Sequence, residues 1–258
     1  MRLDRYLSNA GIGTRKEVKK LIKDGKVSVG DLIIKEADYQ VTFNSKVYVS
    51  NNLINYKEYY YLLLNKPKGY ISATEDNYHK VVLDLVEDYK KYHIAPVGRL
   101  DIDTTGVMLL TNHGSLAHSL LSPKSHVSKT YVAEVNHPLS NDLIDLFSNG
   151  VTLDDGYKCL PAQLKIIDNL HAELTIHEGK FHQVKRMFLV FGYEVINLER
   201  TKFDNLTCEG LSQGEYRELT DEEIEHLLNH IKWKAECWIL LLFCIFFIKF
   251  FDIKIYTW

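Results

Sequence analysis

The first clear pattern in the chain is a helical spacing of apolar residues within residues 14–25. Thr14 and Glu17 have the spacing of a capping box, in which each side chain can satisfy a backbone N–H at the helix start. Gly25 supplies the helix end. The apolar stripe that this spacing predicts comprises Val18, Leu21 and Ile22. The opposite face carries a row of basic residues: Arg15, Lys16, Lys19, Lys20 and Lys23.

Beyond residue 58 the pattern changes to short β-prone runs mixed with short helical segments. Residues 59–64 form an apolar, aromatic run that is typical of a strand. Several strands follow one another without a crossover helix of full length, which favours an α+β domain with a mixed, largely antiparallel sheet over a doubly wound fold. The further strands are predicted at residues 129–135, 162–167, 172–176 and 194–198. Helices are predicted at residues 115–121, 141–148, 183–191 and 221–229.

A domain boundary is predicted where the periodicity is lost. Residues 46–58 mix polar and apolar positions without a clear period, so we place the boundary within them. The chain then divides into a small N-terminal α/β domain, residues 1–48, and a larger α+β domain, residues 58–230. Residues 231–258 follow as an apolar tail.

The tail has its own interpretation. Its uninterrupted apolar run, Cys237 to Ile248, is 12 residues long, whereas a membrane-spanning helix needs about 20. A membrane anchor is therefore not expected. A peripheral anchor, an extra core element and sequence foreign to the fold are the alternatives, and the abrupt change in composition favours the last.

Composition and charge place the chain among ordinary folded proteins, with 46% hydrophobic and 25% charged residues and a net charge of -3. Any argument for nucleic-acid binding must therefore rest on local patches. The first 26 residues carry eight Arg or Lys and three Asp or Glu. This excess indicates either a solvated helix face or a surface that binds phosphates, and charge alone does not decide between them.

Cysteine spacing excludes two classes of small-protein scaffold. No pair of the four cysteines has the spacing of a metal site, and their density is too low for a disulfide framework. The N-terminus also lacks the apolar core of a signal peptide. We therefore expect a cytoplasmic protein with reduced thiols and no metal site.

The most informative polar segment is a loop between two apolar stretches, with the sequence G-R-L-D-I-D-T-T-G over residues 98–106. It places Arg99, Asp101 and Asp103 within five residues, where a loop could present them to a ligand. Judged on residue types alone, the aspartates are more typical of turn caps.

The N-terminal segment resembles the S4 RNA-binding domain. The similarity lies in R-L-D-x-x-L at residues 2–7, the turn around Gly11 and Gly13, the basic helix and the following V-S-V-G hairpin. The resemblance favours the phosphate-binding interpretation of the basic face. It implies RNA contacts for Arg15, Lys16, Lys19 and Lys20.

The loop over residues 98–106, with the L-L-T that follows, is similar to the catalytic motif of the pseudouridine synthases, most closely the RsuA branch. In that family the aspartate after R-L is required for activity, which implies that Asp101 is the catalytic carboxylate. The adjacent arginine is implicated in flipping the target nucleotide out of its stack, a role that falls on Arg99.

Three further segments resemble blocks of the same family: N-K-P-K-G at residues 65–69, S-K-T-Y at 128–131 and E-G-K-F-H-Q-V-K-R-M at 178–187. They imply that Tyr131 contacts the target base and that Lys185 pairs with the catalytic carboxylate, with Arg186 as the alternative. Lys129 is expected in a basic loop that holds the RNA backbone, and His182 is expected to be a hydrogen-bonded structural residue.

One position departs from the family pattern. Asp204 stands where the family often has a glycine, which puts the local turn in doubt.

The resemblance implies that the chain converts a uridine of ribosomal RNA into pseudouridine without a cofactor, because the isomerisation needs neither redox change nor group donor. Small-subunit rRNA is the preferred partner. Large-subunit rRNA is the runner-up, and a non-catalytic RNA-binding assembly factor is the alternative from another class. Nothing in the sequence demands a partner chain, so a monomer is expected.

Overall fold

The computed structural model describes residues 1–231. Two helices, α1 (Leu3–Asn9) and α2 (Arg15–Lys23), open the chain. The capping box at the start of α2 is confirmed, since the Thr14 side chain accepts from the Glu17 N–H and Glu17 accepts from the Thr14 N–H at 2.7 Å. The helices pack through Leu7, Val18 and Ile22 into a small core of their own.

A four-stranded antiparallel sheet completes this N-terminal unit. Its strands are β1 (Val27–Val29), β2 (Leu32–Ile33), β3 (Val47–Val49) and β4 (Asn52–Leu53), in the order β2-β1-β3-β4. The interpretation of residues 46–58 as unpatterned linker is therefore wrong for β3 and β4, which pair with β1 and with each other. We propose that the N-terminal domain extends to about residue 56, because Ile54 and Tyr56 still pack on its core.

The larger domain is built on one mixed sheet of nine strands, and the predicted α+β class is confirmed. Its main path runs β13-β5-β7-β11-β8-β10-β9, with β6 on β7 and β12 on β11. Only the β7–β11 pair is parallel among these strands. The strands are β5 (Tyr61–Lys66), β6 (Ala95–Pro96), β7 (Thr105–Thr111), β8 (Lys129–Val135), β9 (Gln163–Ile166), β10 (His171–Ile176), β11 (Val195–Phe203), β12 (Leu206–Thr207) and β13 (Tyr216–Glu218).

Both faces of the central strands are buried. In β5, Leu62 and Leu64 face one apolar cluster, while Tyr61 and Leu63 face another. This explains why the run over residues 59–64 shows no alternation of polar and apolar positions. The faces are covered by α3 (Glu87–Lys90), α4 (Gly114–Leu121), α5 (Asp142–Ser148), α6 (Gln183–Leu189) and a seventh helix, α7, over residues 221–231.

The predicted helices and strands therefore exist, with ends shifted by a few residues. The strand predicted over 194–198 is longer and runs to Phe203. The turn after it forms despite the departure at Asp204, whose φ is +55°. Within residues 1–231, no helix has the length and apolar character needed to cross a membrane. The apolar run from Cys237 to Ile248 lies outside the described residues.

Candidate active site

The polar loop over residues 97–104 connects β6 to β7 and is fastened along its length by the segment after β5. Gly69 donates its N–H to the Ile102 carbonyl at 2.8 Å. The Ser72 hydroxyl donates to the Leu100 carbonyl at 2.7 Å and accepts from the Leu100 N–H at 2.9 Å. These bonds involve the main chain of the loop and leave its acidic side chains free to face a cleft.

Lys66, the last residue of β5, makes further hydrogen bonds to the loop. Its side chain is fully buried, and its ammonium donates to the carbonyls of Asp101 at 2.9 Å, Thr104 at 2.7 Å and Pro67 at 3.2 Å. Burial lowers the pKa of Lys66 to about 8. This lysine of the N-K-P-K-G segment therefore holds both ends of the turn from Asp101 to Thr104.

The structure brings Asp101 and Lys185 together, with Asp103 as a third member of the cluster. The Lys185 Nζ lies 3.7 Å from Oδ2 of Asp101, but it is closer to Asp103, at 2.7 and 2.8 Å from its two oxygens. The hydrogen bond from Lys185 holds the pKa of Asp103 below its usual range. Lys185 thus bridges two carboxylates instead of pairing with Asp101 alone.

His182 also belongs to this cluster. Its Nε2 lies 3.5 Å from Oδ1 of Asp101, and 41% of its side chain is exposed. Phe181 stacks on the imidazole with ring centroids 3.8 Å apart. The expectation that His182 is a hydrogen-bonded structural residue is therefore wrong, because its side chain makes no hydrogen bond within residues 1–231 and faces the cleft.

The segment that carries His182 and Lys185 is held in shape by two buried polar residues. Gln183 donates to Oε1 of Glu178 at 2.8 Å and accepts from the Lys180 N–H at 2.8 Å. Glu178 also accepts from the Tyr157 hydroxyl at 2.7 Å. With both polar groups satisfied, the turn into α6 has a defined conformation that points residues 182 and 185 at the loop.

Tyr131 and Arg99 line the same cleft, which has a volume of about 910 Å³. Tyr131 lies on β8 and is 8% exposed, with Arg200 of β11 as its cross-strand partner. Arg99 is exposed at the mouth. The structure therefore gathers Asp101, Tyr131, Lys185 and Arg99 around one opening, although these residues come from a loop, a strand and a helix.

Two of the expected RNA contacts occupy different surroundings. Lys129 was expected in a basic loop, but it lies on β8, is 8% exposed and donates to the Val127 carbonyl at 3.0 Å. Burial lowers its pKa to about 8. It lines the inner wall of the cleft, so it cannot hold an RNA backbone at the surface.

Arg186 is directed away from the cluster. Its guanidinium contacts Asp154, at 2.7 Å from Nε, and Asp155, also at 2.7 Å. It is not among the residues that line the cleft. The alternative assignment of Arg186 as partner of the catalytic carboxylate is therefore wrong, and its acidic neighbours already occupy the donors that an RNA phosphate would need.

Arg200 is a cleft residue that the sequence interpretation missed. It is 2% exposed, and its Nε donates to the Val107 carbonyl at 2.7 Å. Its Nη2 has no hydrogen-bond partner within the described residues, and neither does the buried hydroxyl of Thr104, which lines the same cleft. Both groups therefore have hydrogen-bonding capacity in the wall of the cleft that the described residues do not use. The sequence did not indicate this position, because a single arginine in a strand with charged neighbours is typical of a solvent-exposed residue.

The four basic residues expected to contact RNA in the N-terminal domain lie on one helix. Arg15, Lys16, Lys19 and Lys20 are exposed on α2, opposite Val18 and Ile22. They form no salt bridge with the described acidic residues at 4.0 Å or less. This basic face therefore keeps its donors available for phosphates.

Comparison with known proteins gives two family matches. A family described as RNA pseudouridylate synthase matches residues 60–189, and the S4 domain matches residues 1–47. A solved structure described as a pseudouridylate synthase superposes with a TM-score of 0.63 at 34% identity, covering 88% of this chain and 99% of that one.

Relatives by sequence cover nearly the same length. An uncharacterized RNA pseudouridine synthase of Bacillus subtilis is 44% identical over 89% of this chain and 98% of its own length. The ribosomal large subunit pseudouridine synthase B of the same organism is 39% identical over 88% and 95%. The ribosomal small subunit pseudouridine synthase A of Vibrio cholerae is 38% identical over 87% and 98%.

Proposed function

Because the chain belongs to the RNA pseudouridylate synthase family, we propose that it isomerises a uridine of ribosomal RNA to pseudouridine with Asp101 as its catalytic carboxylate. The observation that carries the assignment is the position of Asp101. Its side chain is 29% exposed at a cleft, between His182 and Lys185, on a loop that is fixed by its main chain.

The reaction exchanges one bond between base and ribose for another. The bond from C1′ to N1 breaks, the base turns, a bond from C1′ to C5 forms, and the proton on C5 leaves while N1 gains one. Asp101 acts either as the nucleophile on the sugar or as the base that takes a sugar proton, and both roles need its anion. The Lys185 ammonium lies 3.7 Å from Oδ2 of Asp101 and places a positive charge beside the reacting carboxylate.

Tyr131 and Arg99 serve the nucleotide itself. We propose that the Tyr131 ring contacts the target base and that its hydroxyl relays the proton that leaves C5. Arg99, at the mouth, occupies the space that the extruded nucleotide vacates. Flipping a stacked base costs a few kcal/mol. Contacts of the RNA with the basic face of α2 supply binding energy that offsets this cost.

The preferred target lies in small-subunit rRNA, from the similarity of the loop motif to the RsuA branch. The named relatives act on either subunit at nearly equal identity, so a large-subunit target is the second candidate. Mapping pseudouridines in the rRNA of cells with and without this protein distinguishes them. A site that disappears only from small-subunit rRNA is the expected result.

We also propose that the protein works as a monomer in the cytoplasm without a cofactor. The cleft residues Asp101, Tyr131, Lys185 and Arg99 all come from one chain, and relatives act on ribosomal RNA according to their names. Sedimentation of the pure protein at several concentrations tests the first statement, and full activity after exhaustive dialysis tests the absence of a cofactor.

Replacement of Asp101 by asparagine tests the function directly. We expect Asp101→Asn to abolish pseudouridine formation while RNA affinity and thermal unfolding stay close to those of the parent. The control is Asp142→Asn, an exposed aspartate at the start of α5, which should keep full activity. Full activity of Asp101→Asn would refute the assignment, and full rescue of cells by an inactive variant would favour an assembly role instead.

A further inference from the structure

A cluster of two histidines and one aspartate lies where α7 meets the turn between β11 and β12. Oδ2 of Asp204 is 3.1 Å from Nε2 of His226 and 2.9 Å from Nε2 of His230. The three potential ligand atoms lie within 4.8 Å of one another. None of these residues lines the cleft that holds Asp101.

The two imidazoles reach the same point because of helix geometry. His226 and His230 are four residues apart on the helix over 221–231, and side chains at this spacing project from one face, one turn apart. Their Nε2 atoms converge on the same carboxylate oxygen. Paired histidines with this spacing, together with a carboxylate, are a frequent ligand set for zinc in proteins.

The main chain at Asp204 is held in place by the tight turn. Asp204 has a φ of +55°, a conformation that aspartate tolerates better than most residues. Its N–H donates to the Ser128 carbonyl at 2.9 Å. On either side of the turn, Phe203 pairs with Leu206 and Lys202 with Thr207. The main chain that carries the third ligand is thus fixed by the hairpin, while the carboxylate itself is hydrogen-bonded to the two histidines.

We propose that Asp204, His226 and His230 bind one divalent cation of the borderline class, with Zn²⁺ as the best fit. Imidazole nitrogen and carboxylate oxygen are ligands that Zn²⁺ prefers, and three protein ligands leave a fourth position for water. The side chains of Asp204 and His230 are 16% and 22% exposed and that of His226 is 48% exposed, so the cation can enter from the side of His226.

The role of the site follows from what it connects. Phe203, Leu206 and Leu227 belong to the same apolar cluster beneath the ligands. A bound cation would join α7 to the β11–β12 hairpin above this cluster and stabilise the folded state without contact with the reacting nucleotide. This site is independent of the proposed function, since it involves none of its residues.

The test is titration of the metal-free full chain with ZnCl₂ by calorimetry, with thermal unfolding in Zn²⁺ and in chelator as a second measurement. We expect one Zn²⁺ per chain and a melting temperature that rises with Zn²⁺. His226→Gln and Asp204→Asn should each abolish both effects. The control His171→Gln removes an exposed histidine that lies 2.9 Å from Asp168 without a second imidazole, and it should bind as the parent does.

Cobalt provides a check on ligand type. Co²⁺ at this site should absorb in the visible region without a thiolate charge-transfer band, which excludes binding by cysteines. Equal Zn²⁺ binding by the parent and His226→Gln would overturn the proposal, as would a parent chain that binds none, in which case the three residues form only a hydrogen-bonded cluster. The exposed position of residue 226 keeps this variant foldable, and its melting temperature in chelator should match the parent.

Discussion

Lys66 shows how one buried charge can shape the loop that carries the proposed catalytic residue. Its ammonium satisfies carbonyls at both ends of the turn that begins at Asp101. Its three hydrogens match three acceptors, and the positive charge lies close to the carboxylates of Asp101 and Asp103. The loop conformation therefore depends on a residue from a neighbouring strand.

We expect Lys66→Met to lower kcat by roughly 10- to 100-fold with little change in KM, because a small misplacement of a catalytic group is costly. The free energy of unfolding should change little, because the loss of the hydrogen bonds is offset by the removal of a buried charge. Single-turnover assays with the parent and the variant measure this. Lys68→Met, two residues away and exposed, should keep its activity, and equal losses in both variants would contradict the positioning role.

Stability should depend on pH through the two buried lysines. The pKa of Lys66 and that of Lys129 are each lowered to about 8, whereas an unfolded lysine has a pKa of about 10.4. Between these values the unfolded chain holds protons that the folded chain has released, so the free energy of unfolding contributed by these groups rises with pH. Below about pH 8 both states are protonated and the full burial penalty remains.

Denaturant unfolding of the parent, Lys66→Met and Lys129→Met at pH 7.5 and pH 9.5 measures this contribution. From pH 7.5 to pH 9.5 the free energy of unfolding of each variant should rise less, or fall more, than that of the parent. Identical pH dependence in all three proteins would show that these lysines do not titrate in this range.

At the residue scale, sequence identified Asp101 only through the resemblance of its loop, because residue types alone favoured a turn cap. Lys66 and Arg200 were not recognised as residues of the cleft region, because a buried cation does not produce a periodic pattern of apolar residues. Both cations sit in strands where neighbours bury them, and that burial depends on pairing between strands far apart in the sequence.

At the scale of elements, Gly106 fixes the approach of β7 to β11. It has a φ of +101°, and a Cβ there would collide with the Arg200 carbonyl. The glycine that ends the catalytic motif is therefore needed for the parallel pairing of Gly106 with Arg200. Gly106 therefore connects the conformation of the loop over residues 97–104 to the pairing of β7 with β11.

We expect Gly106→Ala to destabilise the protein by more than about 4 kcal/mol or to prevent folding. Gly210→Ala is the matched control, since its φ is +77° but a Cβ there meets nothing within 4 Å. Its cost should be about 1–2 kcal/mol, the strain of a left-handed alanine alone. Chemical denaturation compares the two, and similar values would argue against a close backbone approach at residue 106.

The exposed basic face of α2 leads to a prediction about RNA binding. Replacing Lys16, Lys19 and Lys20 together by glutamine should weaken RNA binding and reduce the slope of log K against log salt by about 1 for each phosphate that is no longer neutralised. Filter binding over a range of salt concentrations measures the slope. A control that replaces Lys158, Lys165 and Lys202 has the same charge change on the other domain and should leave the slope nearly unchanged.

Elements with a strong local signal could be predicted from sequence, and those that depend on pairing could not. The α2 helix has both a capping box and an apolar stripe. By contrast, β3 and β4 are two or three residues long and turn at Ser50 and Asn51, both with positive φ. The end of β11 was missed because buried Arg200 interrupts the apolar pattern.

At the scale of the whole molecule, the two domains have separate cores. One core draws only on residues 1–56, and the two clusters on either face of the large sheet begin at Tyr59 and Tyr60. The order of strands in that sheet was not predictable, because β7 and β11 are joined across some ninety residues of intervening chain.

Separate cores predict that the catalytic part folds without the N-terminal domain. A chain of residues 58–258 should retain pseudouridine formation at saturating RNA but show a higher KM, because it lacks the basic face of α2. Circular dichroism and steady-state assays test this. A fragment that folds but has lost turnover at saturation would show that the N-terminal domain contributes to chemistry as well as binding.

The attachment of the loop over residues 97–104 through its main chain has a consequence for substitutions. Since Lys66, Gly69 and Ser72 all bind the main chain of the loop, these attachments do not require the side chain at position 101. A substitution at position 101 is therefore expected to remove the proposed chemistry while sparing the conformation of the loop. The variant chain would keep the basic face of α2 and with it the proposed contacts to RNA.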